Sequence, residues 1–343
     1  MVRSLATVAS SVDVKSVTVA VPVLNGGERF RELLKALGEQ RNAANVELEI
    51  LIVDSGSTDG SVEAAREAGA RVIEIDKSTF QHGRTRNLAV GEAKGEVVAL
   101  LTDDSVPATD IWLDSIVEGF AQADDVALVF GPQLAIPEHP HFVRREMRDH
   151  FQGFAGEDGG VDLKRMAPGP EGQSEYEANQ GVFAFFSDAN GALAKWAWAD
   201  HPYREVPYAE DQLIGRAMIE AGFAKVFHPD AAVIHSHHYG VIGSLKRYFD
   251  DYRGVGEVLG YRSPVGVRSG AKTVIGLTRT DREFLREEGV GGAGLLVASL
   301  ASARHHTLRV IAEWLAARAD RMPTWLSARL SYDGRGGFAP HQS

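Results

Sequence analysis

The chain has 343 residues and a formal net charge of −11; 44% of it is hydrophobic, 24% is charged, and cysteine is absent. This is the composition of a globular protein. It excludes disulfide and thiolate chemistry and has the wrong sign for a general nucleic-acid binder. No stretch reaches the roughly 18 apolar residues of a membrane-spanning helix. Residues 1–16 lack a signal peptide's apolar run and read as a flexible leader, which fits a cytoplasmic protein.

From there the first half alternates strand and helix. Val17 to Val23 (VTVAVPV) is a β-branched strand ended by the turn Asn25-Gly26-Gly27. Phe30, Leu33, Leu34 and Leu37 then carry a helical period. Leu48 to Val53 is a second strand, running into Asp54-Ser55-Gly56-Ser57-Thr58-Asp59-Gly60 and a helix to about Ala68. Arg71 to Ile75 is a third strand, Gly83 to Lys94 a helix, and Glu96 to Leu101 a fourth strand that leads into Thr102-Asp103-Asp104. A helix over 110–121 and a strand over 126–130 follow. Nearly all-apolar strands alternating with helices predict a parallel sheet covered on both faces. Ligands of such sheets bind beyond the carboxyl ends of the strands, where Asp54 and Asp104 fall.

The middle of the chain reads differently. Residues 154–180 are rich in Gly, Pro, Glu and Asp without a period, which predicts a long mobile loop of the kind that serves as a lid. Residues 181–186 read as a strand, and a helix runs through Trp198. Glu210 and Asp211 open a helix with Leu213, Ile214, Ala217 and Met218 on one face, and Ala231 to His237 is a short strand. From Val241 to about Arg329 the pattern is helical, including 295–317. The expected domains are thus a leader at 1–16, a catalytic domain at 17–240 and a helical extension at 241–343.

Each constellation has an ordinary structural explanation beside a chemical one. Asp103 and Asp104 could cap the turn after their strand, or supply the hard oxygen ligands that Mg²⁺ or Mn²⁺ needs to bridge a diphosphate. Glu210 and Asp211 suit a helix's first turn, worth roughly 0.3–1 kcal/mol, or make Asp211 a general base. His235 and His237 share one face of a strand and His238 takes the other; neutral imidazole is a common metal ligand. Arg84 and Arg86 open a helix and could hold a phosphate there. There is no GxGxxG after the first strand and no GxxxxGK[ST], so dinucleotide and P-loop readings lack their loops.

Taken together, VAVPVLNGG (19–27), VDSGSTDGS (53–61), FQHGRTRNLA (80–89), LLTDDSVP (100–107), FFSDANGAL (185–193), YAEDQLIG (208–215) and VIHSHHY (233–239) resemble the family-2 glycosyltransferases, in that family's order. FQHGRTRN and HSHHY look most like its rhamnosyltransferase branch. The resemblance spans roughly residues 17 to 255. It implies the GT-A fold, an α/β Rossmann-like architecture whose mostly parallel central sheet is flanked by helices, here with a helical C-terminal extension.

It implies further that Asp54, with Pro22 and Asn25, meets the donor base, and that Arg86 lies near the diphosphate. Asn190 would contact donor sugar or acceptor, with Asp103 and Glu210 also on the substrate side. Asp104 and a late histidine, His237 or His235, would hold a divalent Mg²⁺ or Mn²⁺, and Asp211 would be the catalytic base. The branch often has a non-acidic residue where Asp103 stands, so Asp103 could touch metal or ribose.

The function so implied is an inverting transfer of a hexose, L-rhamnose first, from a dTDP or UDP donor. The acceptor would be a hydroxyl of a cell-surface polysaccharide, a glycolipid or a lipid-linked precursor. Partners are then a nucleotide-sugar donor and a carbohydrate or lipid-linked acceptor, without nucleic acid. The C-terminal helices, with Trp314, Trp325 and several arginines, pack on the catalytic domain or form a homodimer contact, ahead of peripheral contact with the membrane's inner face. Competing functions are a non-catalytic binding subunit of the same fold, a sugar-nucleotide pyrophosphorylase, whose Gly-rich basic loop is missing, and a processive synthase, whose membrane helices are missing.

Overall fold

The computed structural model describes residues 14–334, apart from 238, 259, 261, 262, 265 and 333. Most of the expected leader and His238 therefore lie outside the described residues. Val14 is buried and the first strand begins at Ser16. Contacts divide the chain into two units. The first comprises Met1–Leu134, Phe151–Glu205 and Glu210–His235; the second comprises Ala135–His150, Val206–Ala209 and Ser236–Ser343.

The alternation read from the sequence appears as β1 (Ser16–Val23), α1 (Gly27–Gly38), β2 (Glu47–Asp54), α2 (Ser61–Glu67), β3 (Arg71–Glu74), α3 (His82–Glu92) and β4 (Val97–Leu101). Next come β5 (Val106–Pro107), α4 (Trp112–Phe120), β6 (Val126–Phe130), β7 (Gln133–Leu134), α5 (His141–Gln152), β8 (Asp162–Lys164), α6 (Pro170–Ala178) and α7 (Gln180–Ala184). The remainder is β9 (Asn190–Ala194), α8 (Lys195–Asp200), α9 (Glu210–Glu220), β10 (Ala224–Phe227), β11 (Val233–Ile234), α10 (Val241–Val258), α11 (Val267–Glu287), α12 (Gly292–Ala316) and α13 (Thr324–Leu330).

In the first unit an eight-stranded sheet runs β3-β2-β1-β4-β9-β6-β10-β8. β1 pairs in parallel with β2 and β4, β2 with β3, and β6 with β10. β9 is antiparallel to both β4 and β6, and β8 is antiparallel to β10. β4 and β6 are buried at every residue, as strands covered on both faces must be. Pro22 fits inside central β1 because pairing with β4 ends at Ala20, so no ladder bond needs its missing N–H. Trp112, Phe30, Phe130 and Phe186 fill the core.

Two segments depart from expectation. Residues 181–186 are not a strand; Gln180–Ala184 is the short helix α7, since a brief apolar run does not distinguish strand from buried helix. Residues 154–180 are not a continuous loop either. β8 forms an edge strand and α6 starts at Pro170, a residue suited to a first turn.

A second sheet of three short strands, β5-β11-β7, does the positioning. β5 follows Asp103 and Asp104, β7 begins at Gln133, and β11 ends just before His235. Pairing them brings these three positions, far apart in sequence, to one place.

The second unit is helical. α12 packs with α10 and α11 around Phe249 and Ala312. It begins before residue 241 and also recruits 135–150 and 206–209. Ion pairs account for the first recruitment: Arg145 of α5 bonds Asp281 of α11 in a buried pair, and Arg309 of α12 reaches Glu146 at 2.7 Å in a partly buried one. Among the described residues, no helix is long and apolar enough to cross a membrane.

Candidate active site

The loops after β1 and β2 brace one another. Asn25 takes a left-handed conformation (φ 54°), which asparagine tolerates. Its N–H donates to Ser57 Oγ at 2.8 Å, and its Oδ1 accepts from the Thr58 N–H at 2.8 Å. Asp54, almost wholly buried, accepts from the N–H groups of Gly56 (2.9 Å) and Ser57 (3.1 Å). The register places Pro22 opposite Val53 and Val23 opposite Asp54. Pro22, Asn25 and Asp54 thus gather at the carboxyl end of neighbouring strands.

Beside them, Asp103 and Asp104 end β4. Burial, then the neighbouring Asp104 charge, pushes the Asp103 carboxyl up to about 6, against an opposing hydrogen bond from the Leu24 backbone. Asp104 Oδ1 accepts from Thr102 Oγ1 at 2.9 Å and lies 3.4 Å from His235 Nε2. The proton on this imidazole can be located from its neighbours. The Gln133 Nε2 amide donates to Ser187 Oγ at 2.8 Å, which turns Gln133 Oε1 toward His235 Nδ1 at 2.9 Å. An amide oxygen only accepts, so Nδ1 carries a hydrogen, and Nε2 is the ring atom that faces the Asp104 carboxylate. A second partner fixing the tautomer of a ligating histidine is a recurring feature of metal sites. Oxygen and imidazole donors facing one point suit Mg²⁺ or Mn²⁺. His237 lies two residues on, where the chain has entered the second unit.

A third cluster surrounds the start of α9. Burial foremost, then Glu210 and Asp188, raises the Asp211 carboxyl well above the usual range, although it accepts from the Gln212 N–H at 2.7 Å. Glu210 is buried, with His82 Nδ1 3.9 Å away. The residue before it, Ala209, has φ 58°, a conformation costly for a residue with a Cβ and concentrated at functional sites. Asp188 is buried too, its carboxyl raised chiefly by burial, with Arg86 opposing. Arg86 Nε lies 3.4 Å from its Oδ2, and Tyr203 OH donates to its Oδ1.

Two residues expected on the substrate side have their partners within the protein. Arg86 is 4% exposed, and it donates to the carbonyls of Leu101 (3.1 Å) and Asp188 (3.2 Å). It ties the end of β4 to the 187–190 segment rather than reaching out to a diphosphate. Asn190 is fully buried: Oδ1 accepts from Trp112 Nε1 at 3.0 Å, and Nδ2 donates to the carbonyls of Pro132 (3.1 Å) and Ala231 (2.7 Å). Its amide is spent on the protein and holds the core beneath the site.

The chain has relatives among known proteins. The family "Glycosyl transferase family 2" matches residues 18–165. The O-antigen chain rhamnosyltransferase WbaN of Salmonella anatum is 30% identical over 242 residues, covering 68% of this chain and 70% of its own. The chain belongs to glycosyl transferase family 2. The O-antigen chain rhamnosyltransferase RfbN of Salmonella typhimurium is 27% identical over 239 residues, with the same coverage of 68% and 70%. Among solved structures, the Pyrobaculum calidifontis mannosyltransferase PcManGT in complex with GDP-Man and Mn2+ superposes with a TM-score of 0.56 at 16% identity, covering 89% of this chain and 86% of that one. S. aureus TarS in complex with UDP-GlcNAc gives 0.51 at 14% identity, covering 89% and 91%. The fold is therefore that of the GT-A glycosyltransferases, and this family-2 member is a transferase.

Sequence reading passed over two residues around which these clusters are built. Gln133 sits in a two-residue strand with no motif to mark it. Asp188 stood inside the quoted FFSDANGAL segment; an acidic residue amid an apolar run was the available signal.

Proposed function

We propose that this transferase moves a sugar, L-rhamnose by kinship with the two O-antigen enzymes, from a dTDP or UDP donor to a hydroxyl of a saccharide or lipid-linked saccharide. The transfer is one displacement with inversion. The observation that carries the reading is the Asp104–His235 pair, 3.4 Å apart with the imidazole tautomer set by Gln133. Asp104 and His235 would hold the divalent ion. When bound, Mg²⁺ or Mn²⁺ supplies positive charge for the leaving diphosphate.

The remaining roles fall to the protein's own groups. Asp54, Pro22 and Asn25 receive the nucleoside base, and Asp103 lies on the ribose side of Asp104. Asp211 takes the acceptor hydroxyl's proton as that oxygen attacks the anomeric carbon from the face opposite the diphosphate. A raised proton affinity makes the ionised Asp211 a stronger base than an exposed carboxylate. Arg86 and Tyr203, by holding Asp188, keep the acidic cluster in place.

Thermal shift with dTDP, UDP and their sugars, with and without Mn²⁺, tests the reading, because a ligand of the folded state raises its melting temperature. A metal-dependent rise for one base is expected. No rise with any nucleotide would favour the non-catalytic binding subunit instead.

A further inference from the structure

The helical unit carries an open cavity of about 220 Å³ lined by α5, α10, α12 and the residues before α10. That is below the roughly 300–1,000 Å³ of a drug-sized pocket and scaled to a single monosaccharide ring. Val143 and Met147 give it an apolar side, and Tyr239 and Tyr248 add aromatic surface. Its polar wall includes Glu146, Arg247, Asp251 and His305.

These groups are arranged before any ligand arrives. Arg247 Nε contacts Asp251 Oδ1 at 3.1 Å, and Tyr208 OH donates to the same carboxylate. Glu146 meets Arg309 at 2.7 Å, while Tyr248 OH and His305 Nε2 are hydrogen-bonded at 3.1 Å. Asp251 is paired with Arg247 on the wall, and Glu146 with Arg309 outside it, so both carboxylates already have a cationic partner. Fixed donors and acceptors beside aromatic surface instead match a ring that carries hydroxyls on its edge and C–H groups on its faces.

We propose that this cavity is a binding site for one uncharged sugar ring of the acceptor saccharide. The inference rests on the transferase reading above and extends it to the helical unit. The wall also includes His237. Carboxylate, guanidinium and imidazole groups recognise hydroxyl geometry directionally, which gives such a site stereochemical selectivity among hexoses.

The test uses the full chain and saturation-transfer NMR with methyl α-L-rhamnoside, methyl α-D-mannoside and methyl α-D-galactoside, in the presence of saturating nucleoside diphosphate and Mn²⁺. Ser244, on the cavity wall, is replaced by Trp to fill it, and Arg247 by Ala to remove a donor. At least one glycoside should bind the wild type and lose its signal tenfold or more in both variants, while the nucleotide-induced thermal shift stays unchanged in each. Absence of glycoside binding, binding that survives both substitutions, or displacement of the glycoside by inorganic phosphate would overturn the proposal. The nucleotide shift of the wild type is read separately, so failure of the donor site and failure of the sugar site give different patterns.

Discussion

Two regions of the molecule place acidic groups beside histidines, and both could geometrically hold a metal ion. One contains Asp104 and His235; the other is Glu146, His305 and His306 in the helical unit. Their surroundings separate them. In the helical unit Arg145 bonds Asp281 and Asp149, Arg309 bonds Glu146, and His306 Nε2 pairs with Asp281 at 2.7 Å. Although burial pushes both up, His306 and then Arg145 pull Asp281 below its ordinary range, and His305 and then Arg309 do the same for Glu146. In the catalytic unit Asp188, Glu210 and Asp211 crowd together, with Arg86 opposing at Asp188, and burial leaves Asp103, Asp188 and Asp211 raised. Matched charge leaves no call for a cation. Unmatched negative charge marks a site that awaits a cation or a proton.

The largest effect should come from Asp211→Asn. Without its base the enzyme should lose about 10²–10⁴ in kcat, with the nucleotide-induced thermal shift preserved. The wild-type rate should rise with pH, because the raised carboxyl must first ionise, with its midpoint above the ordinary carboxylate range. Equal loss of rate and nucleotide binding would make Asp211 a ligand instead.

Arg145→Ala should act on the opposite region and in the opposite way. Leaving buried Asp281 without its guanidinium should cost about 3–5 kcal/mol of stability, read by urea unfolding. Transfer per folded molecule should be little changed.

Gln133→Leu should release the His235 tautomer and weaken Mn²⁺ binding by roughly 10–100-fold, measured by calorimetry. An unchanged affinity would separate Gln133 from the metal site.

Asp103→Asn should have the smallest effect, and its sign depends on pH. The folded-state carboxyl titrates near 6, above its unfolded value of 3.8. Below the unfolded value it is neutral in both states and costs nothing; as pH rises through 6 the folded state loses stability relative to the unfolded. In metal-free buffer the variant should therefore melt higher than wild type above pH 6 and match it near pH 3. The reverse order would refute the burial account.

Much of this comparison was legible in the sequence, for definite reasons. Apolar strands that end in Asp54 or Asp104 declare both the sheet and its ligand edge, because a buried parallel strand must be apolar throughout. The helix opening at Glu210 and Asp211 was visible from its first-turn acids. Burial was not visible. An asparagine in a loop and one sealed in the core look alike, so Asn190 was read as a substrate contact although Trp112, Pro132 and Ala231 use up its amide. The burial of Arg86 was equally hidden. Gln133 was missed because the pairing of β5, β11 and β7 is a long-range event that local pattern does not encode. Recruitment of 135–150 into the helical unit depends on the partners of Arg145 and Glu146, more than a hundred residues away.

The contrast between the two clusters is tested most directly by titrating Mn²⁺ calorimetrically, with saturating dTDP or UDP, into wild type, Asp104→Asn and His306→Gln. Binding should be lost in Asp104→Asn and retained in His306→Gln. Retention in Asp104→Asn with loss in His306→Gln would place the ion in the helical unit and contradict the account.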